Sequence, residues 1–129
     1  MNLEDAKILI VEDDDVMRMF VTNILMQLGV RQVQDATDGQ EGLLKVANFR
    51  PDVIVSDIHM GPVDGLDFVK QLRAHPVIEL RNTPVLILSA DKSYQAHNHS
   101  VLLGVIDYII KPPNQESLKI KLNNALRFR

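Results

Sequence analysis

The chain has 129 residues, 46% hydrophobic and 24% charged, with a formal net charge of −3 and no cysteine. That length suits a single domain with its own core, and the missing thiols exclude disulfides, zinc–thiolate sites and cysteine catalysis. No apolar run approaches the ~20 residues needed to span a bilayer, "MNLEDAK" does not read as a secretory signal, and the negative charge gives no support to nucleic-acid or membrane-surface binding, so the cytoplasm is the expected compartment.

The predicted elements alternate between short apolar runs and longer stretches of helical period. "KILIV" (7–11) reads as a buried strand, apolar on both faces. "VMRMFVTNILMQLG" (16–29) repeats its apolar residues at three and four and ends at Gly29, as a helix should. "RQVQDA" (31–36) is a weaker, alternating strand expected nearer an edge. "DGQEGLLKVANF" (38–49) is a helix with Asp38 as its N-cap. "DVIVS" (52–56) is a strand apolar on both faces, and "GLDFVKQLRAH" (65–75) an amphipathic helix stopping before Pro76. "HPVIELRNT" (75–83) reads as a loop, with His75 exposed. "PVLILSA" (84–90) is the fourth strand, and "KSYQAHNHSVLLG" (92–104) the fourth predicted helix, with a polar first half. "IDYII" (106–110) is the last strand, and "NQESLKIKLNNALRF" (114–128) the closing helix, capped by Asn114. No repeat, low-complexity tract or linker interrupts the chain, so 1–129 reads as one domain.

Five βα units in succession, with doubly apolar strands, call for a parallel sheet covered by helices on both sides. Right-handed crossovers leave a five-stranded doubly wound α/β sheet as the natural arrangement. In such a sheet the strands' carboxyl ends share one rim, where ligands bind. The residues reaching that rim are Glu12 and Asp13 after the first strand, Asp57 at the end of the third, Ser89 at the end of the fourth and Lys111 after the fifth.

"EDDD" (12–15) places four carboxylates in a row. Like charges ~5 Å apart repel by roughly 3 kcal/mol at an effective dielectric near 20. A cation between Glu12, Asp13 and Asp57 would relieve this, while Asp14 and Asp15 suit the N-cap and first turn of the following helix. Clustered carboxylate oxygens suit Mg²⁺, which takes one or two carboxylates together with substrate phosphate. An aspartate can attack a phosphoryl group, and such transfer needs mainly positioning and charge neutralisation. Lys111 and the Ser89 hydroxyl could supply two further contacts to the phosphoryl oxygens.

"ILIVEDD", "PDVIVSDIHMGPVDGLDFVKQLR", "TPVLILSA" and "GVIDYIIKP", in that order and over most of the chain, resemble the receiver domain of two-component response regulators, the CheY-like family. The resemblance implies a flavodoxin-like strand order 2-1-3-4-5 in a three-layer α/β/α domain. It implies that Asp57 is the phosphoacceptor and that Glu12, Asp13, Asp57 and the backbone carbonyl of His59 hold Mg²⁺. Ser89 and Lys111 would contact the phosphoryl group, and Ser89 and Tyr108 would form the switch. The donor would be a phosphohistidine of a histidine kinase or phosphotransfer domain. The responding face would be that of the fourth predicted helix, fifth strand and closing helix, acting on a target protein or an output domain. Such a domain catalyses only its own phosphorylation and dephosphorylation, so it is not counted as an enzyme. The Lys111–Pro112 bond would be cis.

The chain departs from the family pattern at three points. Gly61 stands where proline is usual, with Pro62 one later; Pro113 follows "KP"; and "AHNHSVLL" is unusually apolar at its end. Val101, Leu102 and Leu103 are consecutive and cannot all face a core, which makes them a candidate partner or self-association surface. Taken singly, each residue has an ordinary reading: Asp57 a strand-end turn former, Lys111 a solvated lysine, Ser89 a helix cap, Tyr108 a core aromatic. His97 and His99 diverge by about 200° on a helix, which disfavours a metal site. His59 and Asp91 lie two residues after Asp57 and Ser89, positions that tune phosphoryl lifetime in the family.

Two other functions fit the sheet. A flavodoxin-type electron carrier would need a Ser/Thr/Gly-rich phosphate loop where this chain has "EDDD". An Asp-x-Asp phosphatase would make Asp13 the nucleophile, with no Gly-Thr following it. The chain stops at Arg129, directly after the last helix, as either a stand-alone regulator or a receiver from a longer protein would.

Overall fold

The computed structural model describes residues 1–57, 65–89 and 104–127. Its five strands are β1 (Lys7–Val11), β2 (Gln32–Ala36), β3 (Val53–Asp57), β4 (Val85–Ser89) and β5 (Asp107–Ile110). They pair in the order β2-β1-β3-β4-β5, and every pairing is parallel. The helices are α1 (Asp15–Gln27), α2 (Gly39–Phe49), α3 (Gly65–Arg73), the short α4 (Ile78–Arg81) and α5 (Gln115–Leu126). The expected doubly wound α/β sheet and its order 2-1-3-4-5 are therefore present.

Side-chain alternation divides the core in two. Ile8, Ile10, Val53, Val55, Leu86, Leu88 and Ile109 face one way, against Val21, Ile24 and Leu25 of α1 and Leu118, Leu122 and Ala125 of α5. Leu9, Val11, Ile54, Val85 and Ile87 face the other way, against Val46 of α2 and Phe68, Val69 and Leu72 of α3. Neighbours along β1, β3 and β4 thus serve opposite layers, which is why those runs are apolar throughout. Each such side chain contributes about 2 kcal/mol on burial. The alternating β2 lies at an edge, with Gln32, Gln34 and Asp35 exposed.

The predicted caps form. Asp14 Oδ1 accepts from Val16 N at 3.0 Å, Asp38 Oδ1 from Glu41 N at 2.8 Å and Asn114 Oδ1 from Ser117 N at 2.7 Å. Gly29 takes φ +93° just beyond α1, a conformation glycine adopts without steric cost.

One stretch differs from the sequence reading. Residues 75–83 are not simply a loop, because Ile78–Arg81 form α4 and bury Leu80. The cause is tertiary: Arg73 Nη1 donates to the carbonyls of Arg81 (2.9 Å) and Thr83 (2.7 Å), closing the segment onto the end of α3. His75 is half-buried rather than exposed, and its Nδ1 accepts from Val77 N at 3.1 Å. The fourth predicted helix over 92–104, with His97, His99 and Val101–Leu103, lies almost wholly outside the described residues, as do His59, Gly61, Pro62 and Asp91. Among the described residues no helix is long and apolar enough to cross a membrane.

Candidate functional site

Strand register brings the rim residues together. Val11 aligns with Ser56, so Glu12 follows β1 where Asp57 ends β3. Asp57 aligns with Leu88, which puts Ser89 one step further along β4. Ser89 aligns with Ile110, and the Lys111 N–H donates to the Ser89 carbonyl at 2.9 Å. Four strands therefore finish at nearly one level.

Burial then separates the four acids of "EDDD". Asp13, Asp14 and Asp15 are exposed, whereas Glu12 has 0% of its surface accessible. Water screens the exposed three, and Lys111 meets the buried one. Lys111 Nζ lies 2.8 Å from Glu12 Oε1 and 3.1 Å from Asp57 Oδ1. Asp57 and Ser89 are themselves almost fully buried, at 5% and 2% exposure.

The charges are tuned accordingly. Burial pushes the Glu12 carboxyl up to about 7 from an ordinary 4.5, with Lys111 opposing and Asp57 adding to the rise. Burial pulls the Lys111 ammonium down, but Glu12 and Asp57 outweigh it and leave the ammonium above its usual value. Lys111 therefore stays cationic at neutral pH.

The oxygens also fit a hard divalent cation. One oxygen each from Glu12, Asp13 and Asp57 lie within 4.8 Å of one another, an all-carboxylate donor set of the kind Mg²⁺ accepts. Among the described residues Glu12 Oε1 is buried beside Lys111 Nζ without a hydrogen bond of good direction, while Oε2 accepts from Asp14 N at 3.2 Å. A buried oxygen with an unmatched lone pair is what a cation would occupy.

Tyr108 is half-buried against the layer built by α2 and α3. Its carbonyl accepts from Lys121 Nζ of α5, which also lies 3.5 Å from Asp107 Oδ1. The Lys111–Pro112 bond is cis, as the resemblance implied. Sequence reasoning overlooked Arg18, which contacts Asp15, Asp35 and the Glu12 carbonyl. The Asp15-x-x-Arg18 spacing could have flagged the first of these contacts, whereas the other two exist only in the fold.

A doubly wound parallel sheet whose rim carries buried acids and a lysine defines a class of signalling receiver domains. Residues 8–123 match the family model of the response regulator receiver domain. A chemotaxis protein CheY-3 of Vibrio cholerae is 38% identical over 122 residues, covering 93% of this chain and 91% of that protein. An Archaeoglobus fulgidus protein-glutamate methylesterase/protein-glutamine glutaminase is 34% identical over 108 residues, 82% of this chain but 30% of that protein. Among solved structures, Vibrio cholerae chemotaxis protein CheY4, crystallised at low pH, superposes with a TM-score of 0.86 at 34% identity, covering 94% of this chain and 98% of that one. A putative response regulator from Chloroflexus aurantiacus gives 0.87 at 29% identity, covering 95% and 98%. The chain belongs to the response regulator receiver family and is CheY-like.

Proposed function

We propose that this receiver domain is a phosphoryl-accepting switch of a two-component system in which Asp57 takes the phosphoryl group. The observation that carries this reading is the setting of Asp57: a buried carboxylate at a strand end, 3.1 Å from Lys111 Nζ, with Glu12 and Asp13 oxygens within 4.8 Å. A histidine kinase or phosphotransfer domain presents phosphohistidine. An Asp57 oxygen attacks phosphorus, the O–P bond forms and the P–N bond breaks. The electron pair returns to the imidazole, which leaves neutral when its other nitrogen carries a proton. Lys111 holds its proton and faces the charge on the transferring group, and the Ser89 hydroxyl donates to a phosphoryl oxygen. Glu12, Asp13, Asp57 and the backbone carbonyl of His59, the last outside the described residues, would hold Mg²⁺. Bound there, the ion would supply charge neutralisation for the phosphoryl oxygens, beside that of Lys111.

Tyr108 and Ser89 then pass the change to the face formed by the predicted helix over 92–104, β5 and α5. Ile110 and Ile120 are exposed there. A target protein, an output domain or a second copy of this chain would read that face. The whole chain acts as one cytoplasmic receiver, with no catalytic output beyond its own phosphorylation and dephosphorylation. The acidic rim disfavours the flavodoxin alternative, since it would repel a flavin phosphate.

Acetyl phosphate and Mg²⁺ followed by peptide mass spectrometry test the assignment. Label is expected on the peptide bearing Asp57 and absent from Asp57→Asn. Label on Asp13 with Asp57 unmodified would overturn it. Sedimentation with and without a beryllofluoride mimic tests self-association; a monomer at all concentrations in both states removes the second copy as reader.

A further inference from the structure

Asp13 is an exposed side chain and makes no hydrogen bond or ion pair of its own among the described residues. With no partner of its own for that carboxylate, its backbone is the part of Asp13 that neighbouring residues can position. Two groups hold that backbone. From inside, Glu12 Oε2 accepts from Asp14 N at 3.2 Å, and the Glu12 N–H pairs with Ala36 O at 3.0 Å. From outside, the guanidinium of Arg18 grips the peptide that joins Glu12 to Asp13. Arg18 Nη1 donates to the Glu12 carbonyl at 2.9 Å, Nη2 to Asp15 Oδ1 at 2.5 Å and Nε to Asp35 Oδ2 at 3.2 Å. One planar fork thus ties the loop after β1 to the first turn of α1 and to β2. The Arg18 side chain is only 15% exposed, so its three partners fix it rather than water. Lysine lacks this fork, because an ammonium is a compact point charge that cannot fill three divergent acceptors from one plane.

We infer that Arg18 is a positioning residue that presets the Glu12–Asp13 peptide, and with it the Asp13 carboxylate, for a divalent cation in the acidic pocket. This rests on the reading of that pocket as a metal site. Arg18 is itself cationic, and by charge alone its removal would tighten cation binding. If positioning dominates, removal weakens it.

Titration calorimetry with MgCl₂ on the full chain measures this directly, beside circular dichroism to confirm folding. Loss of a partner that orients metal ligands typically weakens affinity 10- to 100-fold, so Arg18→Ala is expected to bind Mg²⁺ roughly 10-fold more weakly. Arg18→Lys, which keeps the charge and loses the fork, is expected to weaken binding as well. In acetyl phosphate labelling, the Mg²⁺ concentration for half-maximal rate rises while the rate at saturating Mg²⁺ stays near wild type. Affinity equal to or tighter than wild type in Arg18→Ala overturns the inference. Should that variant not fold, Asp35→Ala carries the test: it removes the acceptor from one arm of the fork and is expected to weaken Mg²⁺ severalfold, and unchanged affinity overturns the proposal. If wild type and Asp13→Asn bind Mg²⁺ equally, the metal-site reading itself fails, an outcome distinct from normal wild-type binding with an indifferent Arg18.

Discussion

Lys111 and Glu12 meet at 2.8 Å, with the carboxylate fully closed to solvent. A carboxylate placed so deep needs a cation against it or must take up a proton. The ammonium therefore does two things at once: it offsets the burial of Glu12, and it occupies the carboxylate oxygens that a metal would use.

Removing that ammonium separates the two roles. Lys111→Met leaves Glu12 buried without its partner, part of the cost being relieved by protonation of the carboxyl. Stability without metal is expected to fall by about 2–3 kcal/mol in urea unfolding. Affinity for Mg²⁺ is expected to rise, because the competing cation is gone. Weaker Mg²⁺ binding in a folded Lys111→Met would show that the lysine organises the carboxylates rather than competing for them.

The Glu12 shift gives a pH signature. A carboxyl raised from 4.5 to about 7 binds more protons in the folded than in the unfolded state between those values. Its contribution to stability is complete below about 4.5 and is lost as pH rises through about 7, a change of at most about 3 kcal/mol. Other carboxylates titrate near the lower end, so the measurement is a comparison. Metal-free wild type should lose stability relative to Glu12→Gln between pH 5 and about 7. Parallel curves would refute the shift. Proton and cation compete for the same carboxylate, so Mg²⁺ affinity should climb over the same range.

Gly42 sits on α2 where a Cβ would meet Phe68 Cε1 at 3.0 Å and Val11 Cγ2 at 3.2 Å. Both side chains are fully buried and have little room to yield. Alanine gains about 1 kcal/mol of helix propensity but overpacks the core by roughly 1–3 kcal/mol. Gly42→Ala is expected to destabilise by about 1 kcal/mol net, read from the denaturation midpoint. A stabilised variant would show that Phe68 shifts freely.

Arg73 is pulled below the usual arginine value by burial, yet it bridges the carbonyls of Arg81 and Thr83 and reaches Gly104 O at 3.4 Å. Arg73→Met keeps much of the aliphatic stem and strips donors from those carbonyls. A loss of about 2 kcal/mol is expected, with amide exchange accelerating over residues 78–83 before the sheet. Unchanged exchange there would mean that α4 holds without the guanidinium.

Much of the fold could be read locally. β1, β3 and β4 announced themselves because burial on both faces demands an unbroken apolar run. The edge position of β2 followed from its polar alternation, and Asp14, Asp38 and Asn114 marked helix starts through capping chemistry that needs only neighbouring residues. The helical turn Ile78–Arg81 was hidden, because what holds it is Arg73, on the preceding helix, together with a buried Leu80.

The site divides along the same line. Residue order by itself determined which chemical groups end the strands, since each strand must finish where its apolar run stops. Only the tertiary structure decided that Glu12 is buried while its three acidic neighbours are wet, that Lys111 pairs with both Glu12 and Asp57, and that Arg18 grips the Glu12 carbonyl. Those facts depend on register between strands far apart in the chain, and burial of both apolar faces of the sheet against the helices selects that register among the pairings the backbone alone would allow.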